Sequence, residues 1–218
     1  VFGNRKISRY VDCVYLFCPV ERRGQFFLND CTFQFDNRTN STKSLQFSST
    51  GEIVVLDTTP TVETITTGAF TKGENVRLFL GSDNTATPSR VVAGARTLSV
   101  HCSLTLEDAT TKDTDGNWVV QEATELAWDI SSGALVRSGD NITSSVQAQG
   151  LAEIEAIKEA GNPVKCLVAN TSGANNRTLG AIILSGSVIV SQLTINGPLG
   201  TADYTTQLNG YGPYTVGA

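Results

Sequence analysis

In the stretch RTLSVHCSLTLE, residues 96–107, polar and apolar side chains alternate without interruption from Thr97 to Glu107. A period of two is the spacing of a β-strand with one dry face and one wet face. Most strands run about 5–6 residues, so this stretch predicts an unusually long one. Because Ser and Thr dominate the wet face, we expect the polar surface of this sheet to have a function. The apolar positions are Leu98, Val100, Cys102, Leu104 and Leu106, and the polar ones are Thr97, Ser99, His101, Ser103, Thr105 and Glu107.

The composition favours sheets and turns over helices. Charged residues make up 17% of the 218 residues, against about 25% in an average globular chain. Ser, Thr, Gly and Asn fill the difference. The net charge of −5 is carried by residues 71–218, which hold nine basic and fourteen acidic side chains. Such an acidic surface does not bind nucleic acid phosphates, but it lets a polyanion pass without binding it.

The five cysteines, an odd number, do not predict a disulfide framework in a chain of this length. Cys102 and Cys166 fall in strand-like runs and are expected to be small core residues. Cys13, Cys18 and Cys31 have neither C-x-x-C spacing nor a histidine nearby, so no metal site is predicted. No stretch approaches the roughly 20 apolar residues of a membrane helix.

The composition changes near residue 70. Seven of the nine phenylalanines lie in the first 50 residues, and a Thr-rich stretch follows at 58–67. We therefore divide the chain into residues 1–70, an N-terminal extension or small extra domain without an assigned role, a 71–212 domain and a 213–218 tail. For residues 1–57 three interpretations stay open: a small extra domain, a poorly structured extension, or a mistranslated upstream segment.

Beyond residue 70 the strand patterns are regular. Short strands are predicted at 75–80, 164–168 and 203–209, and a second long strand is predicted over 178–196. In that long strand the apolar positions change parity near Ser191, which predicts a bulge. Leu126, Trp128 and Ile130 are expected to point inward, and Glu125, Asp129 and Ser131 outward.

One short helix is predicted after residue 150. Leu151, Ile154 and Ile157 repeat on one side, and charged residues occupy the other. Gly161 is expected to cap the C-terminus of this helix, and Pro163 prevents its continuation.

Four stretches follow one another in a characteristic order. KGENVRLFL (72–80) comes first, and VAGARTLSV (92–100) leads into EDATTKD (107–113), Trp118 and Trp128. The helix ends in AGNPV (160–164), and residues 189–198 are followed by YTTQLNG (204–210). In these features segment 72–210 resembles the major tail tube proteins of long-tailed bacteriophages.

The resemblance implies a mainly β fold, an antiparallel β-sandwich or partial barrel flanked by one α-helix, here with an unassigned N-terminal extension. It implies a structural subunit with no catalytic residue, metal or cofactor. Six copies would form a ring, and stacked rings would form a hollow tube that holds the tape-measure protein and, transiently, DNA. The subunit would be made in the host bacterial cytoplasm and reside in the virion tail, with no membrane and no small-molecule substrate.

Two sets of residues acquire expected roles from this resemblance. The long loop after the second strand would reach the next ring. Its residues are Asp108, Thr110, Thr111, Lys112, Asp113, Asp115 and Trp118. The polar strand faces would line the lumen, with Thr97, Ser99, His101, Ser103, Thr105, Glu125 and Asp129 as candidates.

The alternative is a monomeric β-sandwich binding module, such as an adhesin or a carbohydrate-binding surface domain. Such a module would more naturally show exposed aromatic side chains on turns, for which Tyr211 and Tyr214 are the candidates. A hydrolase is disfavoured, because His101 is the only histidine and a Ser-His-Asp triad would need it.

Overall fold

The computed structural model describes residues 10–17, 20–37, 39–56, 72–85, 87–111, 119–136, 148–172, 178–197 and 201–217. Within them the chain is mainly β with one α-helix, as the sequence predicts. The strands are β1 (Tyr10–Phe17), β2 (Val20–Asp36), β3 (Thr42–Leu56), β4 (Val76–Leu80), β5 (Arg90–Val92), β6 (Ala95–Asp108), β7 (Gln121–Leu135), β8 (Ala148–Gln149), β9 (Val164–Ser172), β10 (Thr178–Asn196), β11 (Asp203–Gly210) and β12 (Thr215–Val216), and the helix is α1 (Leu151–Ala160).

The chain forms two compact units. Unit 1 comprises Val1–Cys31, Ser44–Gly68 and Cys102–Ala127, and unit 2 comprises Thr32–Lys43, Ala69–His101 and Trp128–Ala218. The strands β2, β3, β6 and β7 therefore contribute residues to both units. The division at residues 70 and 212 stays a prediction from composition.

Unit 1 is built on an antiparallel hairpin in which β1 pairs with the first half of β2, Tyr10 opposite Phe27 and Phe17 opposite Val20. β3 also pairs with β2. Phe26, Phe27 and Cys31 are buried here.

Unit 2 holds one hydrogen-bonded sheet in the strand order β2-β6-β7-β11-β10-β9-β4-β5-β8. The described pairings are antiparallel, except for the parallel pair of β5 and β8. The long strand β10 joins the two halves of this sheet. Its residues 178–188 pair with β9, and its residues 188–196 pair with β11. The register shifts between Val190 and Gln192, so the bulge predicted near Ser191 is confirmed.

Contacts within unit 2 also link strands that are not sheet neighbours. Arg77 of β4 donates a hydrogen bond to the carbonyl of Ala95, at the start of β6 (2.8 Å). The hydroxyl of Tyr204, on β11, donates to the carbonyl of Ala93 (3.2 Å). Tyr204 is only 2% exposed, so the two sheet halves enclose a core between them.

The helix α1 ends where the sequence predicts. Gly161 follows it in the left-handed conformation, with φ 65°, and its N–H bonds to the carbonyl of Lys158. Glu153 in the first turn accepts a hydrogen bond from the N–H of Gly150 (3.3 Å) and pairs with Arg90 of β5 (2.7 Å). Ile154 is completely buried, and α1 packs against β10. Packing of this kind is needed, because three helical turns alone are marginal in water.

Most predicted core positions are confirmed, with one correction. Leu98, Val100, Cys102 and Trp128 are buried. Leu126, which was expected to point inward, is 41% exposed, and that expectation is wrong. The alternation places it on the same side of β7 as Trp128, but Leu126 belongs to unit 1 and Trp128 to unit 2.

Cys166 offers a test of the packing of β9. It lies opposite Leu80 of β4 and Gly186 of β10 and is completely buried. Burial raises the pKa of its thiol to about 12, so much less of the reactive thiolate is present at pH 8 than in an exposed cysteine. We expect iodoacetamide to leave Cys166 unmodified in the native protein at pH 8 and to modify it after unfolding. Peptide mass mapping measures this, and rapid native labelling would contradict the described packing.

Candidate assembly surface

Four adjacent strands of unit 2 present one largely polar surface, which we call the polar face. Ile189 of β10, opposite Asn209, lies on the same side and is apolar. The rows of the polar face follow from the strand registers. Ser131 lies opposite Gln207 of β11, and Gln207 lies opposite Gln192 of β10. The polar face consists of Thr97, Ser99 and His101 of β6, Asp129 and Ser131 of β7, Thr205, Gln207 and Asn209 of β11, and Gln192 and Thr194 of β10.

The opposite side of the same four strands is mostly buried, which fixes the direction in which the polar face points. Strand parity places the alternating residues of each strand in the core. The residues on this side that are at most 5% exposed include Leu98 and Val100, Trp128 and Ile130, Tyr204 and Leu208, and Val188 and Val190. Beyond the bulge in β10, Leu193 and Ile195 alternate with Gln192 and Thr194, and they are half-buried and 53% exposed, respectively. A slip of one residue would exchange the two sides, so the buried residues hold the polar face in register.

His101 and Asp129 form a cross-strand pair on the polar face. The distance from Nδ1 of the imidazole to Oδ1 of the carboxylate is 2.9 Å, and the side chains are 36% and 41% exposed. An exposed pair of this kind contributes only about 0–1 kcal/mol to stability. The effect of the pair is therefore to orient the imidazole and the carboxylate on the polar face. The sequence places both residues on polar faces, but it gives no sign of their contact.

Two further rows of the polar face come from residues that the sequence analysis did not single out. Thr205, Gln207 and Asn209 alternate with the buried residues of β11. At the bulge, the hydroxyl of Ser191 donates to the carbonyl of Gln207 (3.1 Å) and lies 3.2 Å from Oδ1 of Asn209. The alternation of β11 is visible in the sequence, but its pairing with β7 and β10 is not.

The remaining candidates for the lumen wall lie in unit 1. Ser103 is half-buried, whereas Thr105 and Glu125 are exposed. The carbonyl of Thr105 accepts a hydrogen bond from the hydroxyl of Thr124 (3.3 Å), which joins β6 to β7 at this point. The role of these three residues in the lumen wall stays a prediction from the sequence.

The root of the predicted stacking loop is held by local hydrogen bonds in unit 1. The Asp108 carboxylate accepts the N–H of Thr110 (2.8 Å), and hydrogen bonding to Thr110 lowers the pKa of that carboxyl. The N–H of Ala109 donates to the carbonyl of Val120 (2.8 Å), and the N–H of Val120 donates to the hydroxyl of Thr110 (3.1 Å). Thr111 is exposed. The predicted loop residues Lys112, Asp113, Asp115 and Trp118 lie outside the described residues.

Among the described residues, no group of three or more His, Cys, Asp or Glu side chains is arranged to hold a metal ion. The described part of the chain also contains no helix with the length and apolar character needed to cross a membrane.

Sequence comparison gives no relative: no family model matches the chain, and no curated protein is similar to it. Comparison with solved structures does find similar chains. A chain of the tail of an empty gene transfer agent particle, solved with C6 symmetry, matches with a TM-score of 0.52 and 16% identity, over 68% of this chain and 99% of that one. The chain has the fold of a gene transfer agent tail protein.

Two other solved structures are similar as well. A chain in the virion of a native gene transfer agent particle matches with a TM-score of 0.50 and 15% identity, over 68% of this chain and 99% of that one. A chain of the SPP1 tail tube matches with a TM-score of 0.43 and 15% identity, over 66% and 77% of the two chains. The two gene transfer agent matches confirm the predicted resemblance for the fold.

Proposed function

We propose that this chain is a structural subunit that assembles into stacked rings and forms a hollow tail tube through which phage DNA passes. The observation that carries the proposal is the polar face. It is a largely polar surface on four strands with mostly buried residues on its other side, in a fold shared with tail subunits. A monomer needs a wet surface only for solubility, whereas a tube needs one that repeats from copy to copy around a lumen.

The edge of β10 supports lateral joining between copies. On one side its residues 188–196 pair with β11, whereas β9 on the other side ends its pairing at Val188. Among the described strands, none pairs with that second side beyond Val188. Exposed strand edges invite pairing with another chain, and a ring of identical copies satisfies every such edge once it closes. We infer hexameric rings, in keeping with the sixfold tail of the similar structure.

The charge of the predicted lumen wall supports the passage of DNA. Asp129 on the polar face and Glu125 in unit 1 are acidic, and the whole chain carries −5. A wall of the same sign as DNA repels it, so DNA slides along the wall. The subunit then contacts DNA only transiently, after the tape-measure protein has left the lumen. In this account the chain is not an enzyme, uses no cofactor or small-molecule substrate, and resides in the virion tail after its synthesis in the host cytoplasm.

The alternative, a monomeric binding module, finds less support. Of its two candidate aromatic residues, Tyr211 is 54% exposed. Tyr214 is half-buried and packs against Trp128, with ring centroids 5.6 Å apart. One exposed tyrosine is a weak platform for a sugar.

Concentration-dependent assembly distinguishes the two functions. Light scattering of the purified chain should show rings or longer polymers as the concentration rises. A species that stays monomeric over the same range would favour the binding module.

Charge reversal tests the assignment of the lumen. Virions that carry Glu125→Lys and Asp129→Lys should assemble tails but release DNA about tenfold more slowly, because cations on the wall bind phosphates. Dye fluorescence of released DNA measures the rate. The matched control is Glu155→Lys with Glu159→Lys, which changes the charge equally on the exposed side of α1. Unchanged release by the first variant would contradict the lumen assignment.

A further inference from the structure

We infer that β3, from the N-terminal part of the chain, positions the root of the stacking loop and so sets the direction in which the loop leaves the subunit. The inference deepens the proposed function and rests on it. All the residues concerned belong to unit 1.

The first observation is a pair of hydrogen bonds from β3 to the start of β7. The N–H of Gln121 donates to the hydroxyl of Thr50 (3.1 Å), and the N–H of Gly51 donates to the carbonyl of Val119 (3.2 Å). Thr50 is only 7% exposed. A buried hydroxyl needs a partner, and Thr50 finds one in the backbone that leads out of the loop.

The second observation is that the intervening residue is held from the opposite side. Both backbone groups of Val120 bond to the other end of the loop, at Ala109 and Thr110. In an extended chain, successive residues direct their backbone groups to opposite edges. Residues 119 and 121 therefore face β3, and residue 120 faces the end of β6. The strand that leaves the loop is fixed along both edges.

The third observation is that packing alone does not hold this strand. Val119 is 53% exposed, and the side chains of residues 122–127 are exposed as well. The first part of β7 has little buried surface, so it is positioned mainly by its hydrogen bonds. The two hydrogen bonds from β3 therefore determine the direction of the loop root.

Gly51 allows β3 to make this contact. Its φ is 71°, and a Cβ built there would meet nothing within 4 Å. The constraint at this position is therefore the left-handed backbone, which Gly adopts freely, Asn tolerates, and a β-branched residue does not. The sequence Thr50-Gly51 supplies both the hydroxyl acceptor and, beside it within β3, the residue with the left-handed backbone.

The test compares Thr50→Val, which keeps the shape but removes the acceptor, with Thr50→Ser, which keeps the acceptor. We expect Thr50→Val to lower the hydrogen-exchange protection of the Gln121 amide about tenfold and to slow tube elongation. Ring formation and the circular dichroism spectrum should be unchanged. Thr50→Ser should show the wild-type protection of the Gln121 amide and the wild-type rate of elongation. Ser49→Val, on an exposed neighbour, should also leave the protection and the elongation rate at their wild-type values.

A second pair of variants covers the case in which Thr50→Val does not fold. Gly51→Asn should behave as wild type, and Gly51→Val should show the loss of protection and the slow elongation. The inference is overturned if the Val variants elongate at the wild-type rate, or if the Gln121 amide keeps its protection in them. If the wild-type chain itself forms no tubes, the proposed function fails, and the exchange at Gln121 alone then decides whether β3 holds the loop root.

Discussion

Deletion of residues 110–116 is expected to leave a folded subunit that forms no tubes. The deleted residues belong to the loop that is predicted to reach the next ring, and no described core residue is among them. An exposed ion pair contributes about 0–1 kcal/mol, but a ring of six copies repeats each contact six times. Loss of the loop therefore removes the stacking interaction at every junction. Electron microscopy measures tube length, and circular dichroism verifies folding.

A replacement that keeps chain length sharpens this experiment. Substitution of residues 112–117 by an equally long Gly/Ser stretch retains Asp108 and Thr110, and with them the hydrogen bonds at the root. We expect this variant to form rings that do not elongate. Tubes of normal length from either variant would refute the stacking role, since both remove the Lys112 and Asp113 charges.

Gly210→Ala is expected to cause a large loss of stability in unit 2. The Trp128 ring lies against two glycines, and a Cβ built at Gly210 would overlap it. A Cβ at Gly186 would come within 2.7 Å of the same ring. The ring cannot move away easily, because its Nε1 donates to the carbonyl of Gly212 (2.9 Å). Overpacking of a core costs about 1–3 kcal/mol, occasionally more, and we expect the upper end of this range.

Urea unfolding, at a protein concentration too low for assembly, measures the loss of stability. Gly197→Ala is the matched control, since a Cβ there meets nothing within 4 Å and its φ is not positive. The control should stay within about 0.5 kcal/mol of wild type. Equal stability of the two variants would contradict the described packing of Trp128.

Local pattern was sufficient to predict much of this fold. The alternation through β6, the parity change at Ser191 and the Gly161 cap depend on a few neighbouring residues, and all three are found. The polar sides of β6 and β7 were predicted for the same reason. Burial of Cys102 and Cys166 also followed from local pattern.

Long-range register could not be predicted in this way. The contact of His101 with Asp129 and the rows contributed by β11 and β10 depend on which distant strands pair, and alternation does not encode that choice. The hydrogen bond between Thr50 and Gln121 joins residues 71 positions apart. Leu126 shows the same limit: alternation gives the side of the strand, but it does not say whether another element covers that side.

Cryo-electron microscopy of the purified chain at high concentration tests the central claim most directly. The account predicts a hollow tube in which Asp129, Gln207 and Thr194 of the polar face border the central channel. A tube that presents these residues on its outer surface, or a chain that remains a single folded copy under the same conditions, would contradict it.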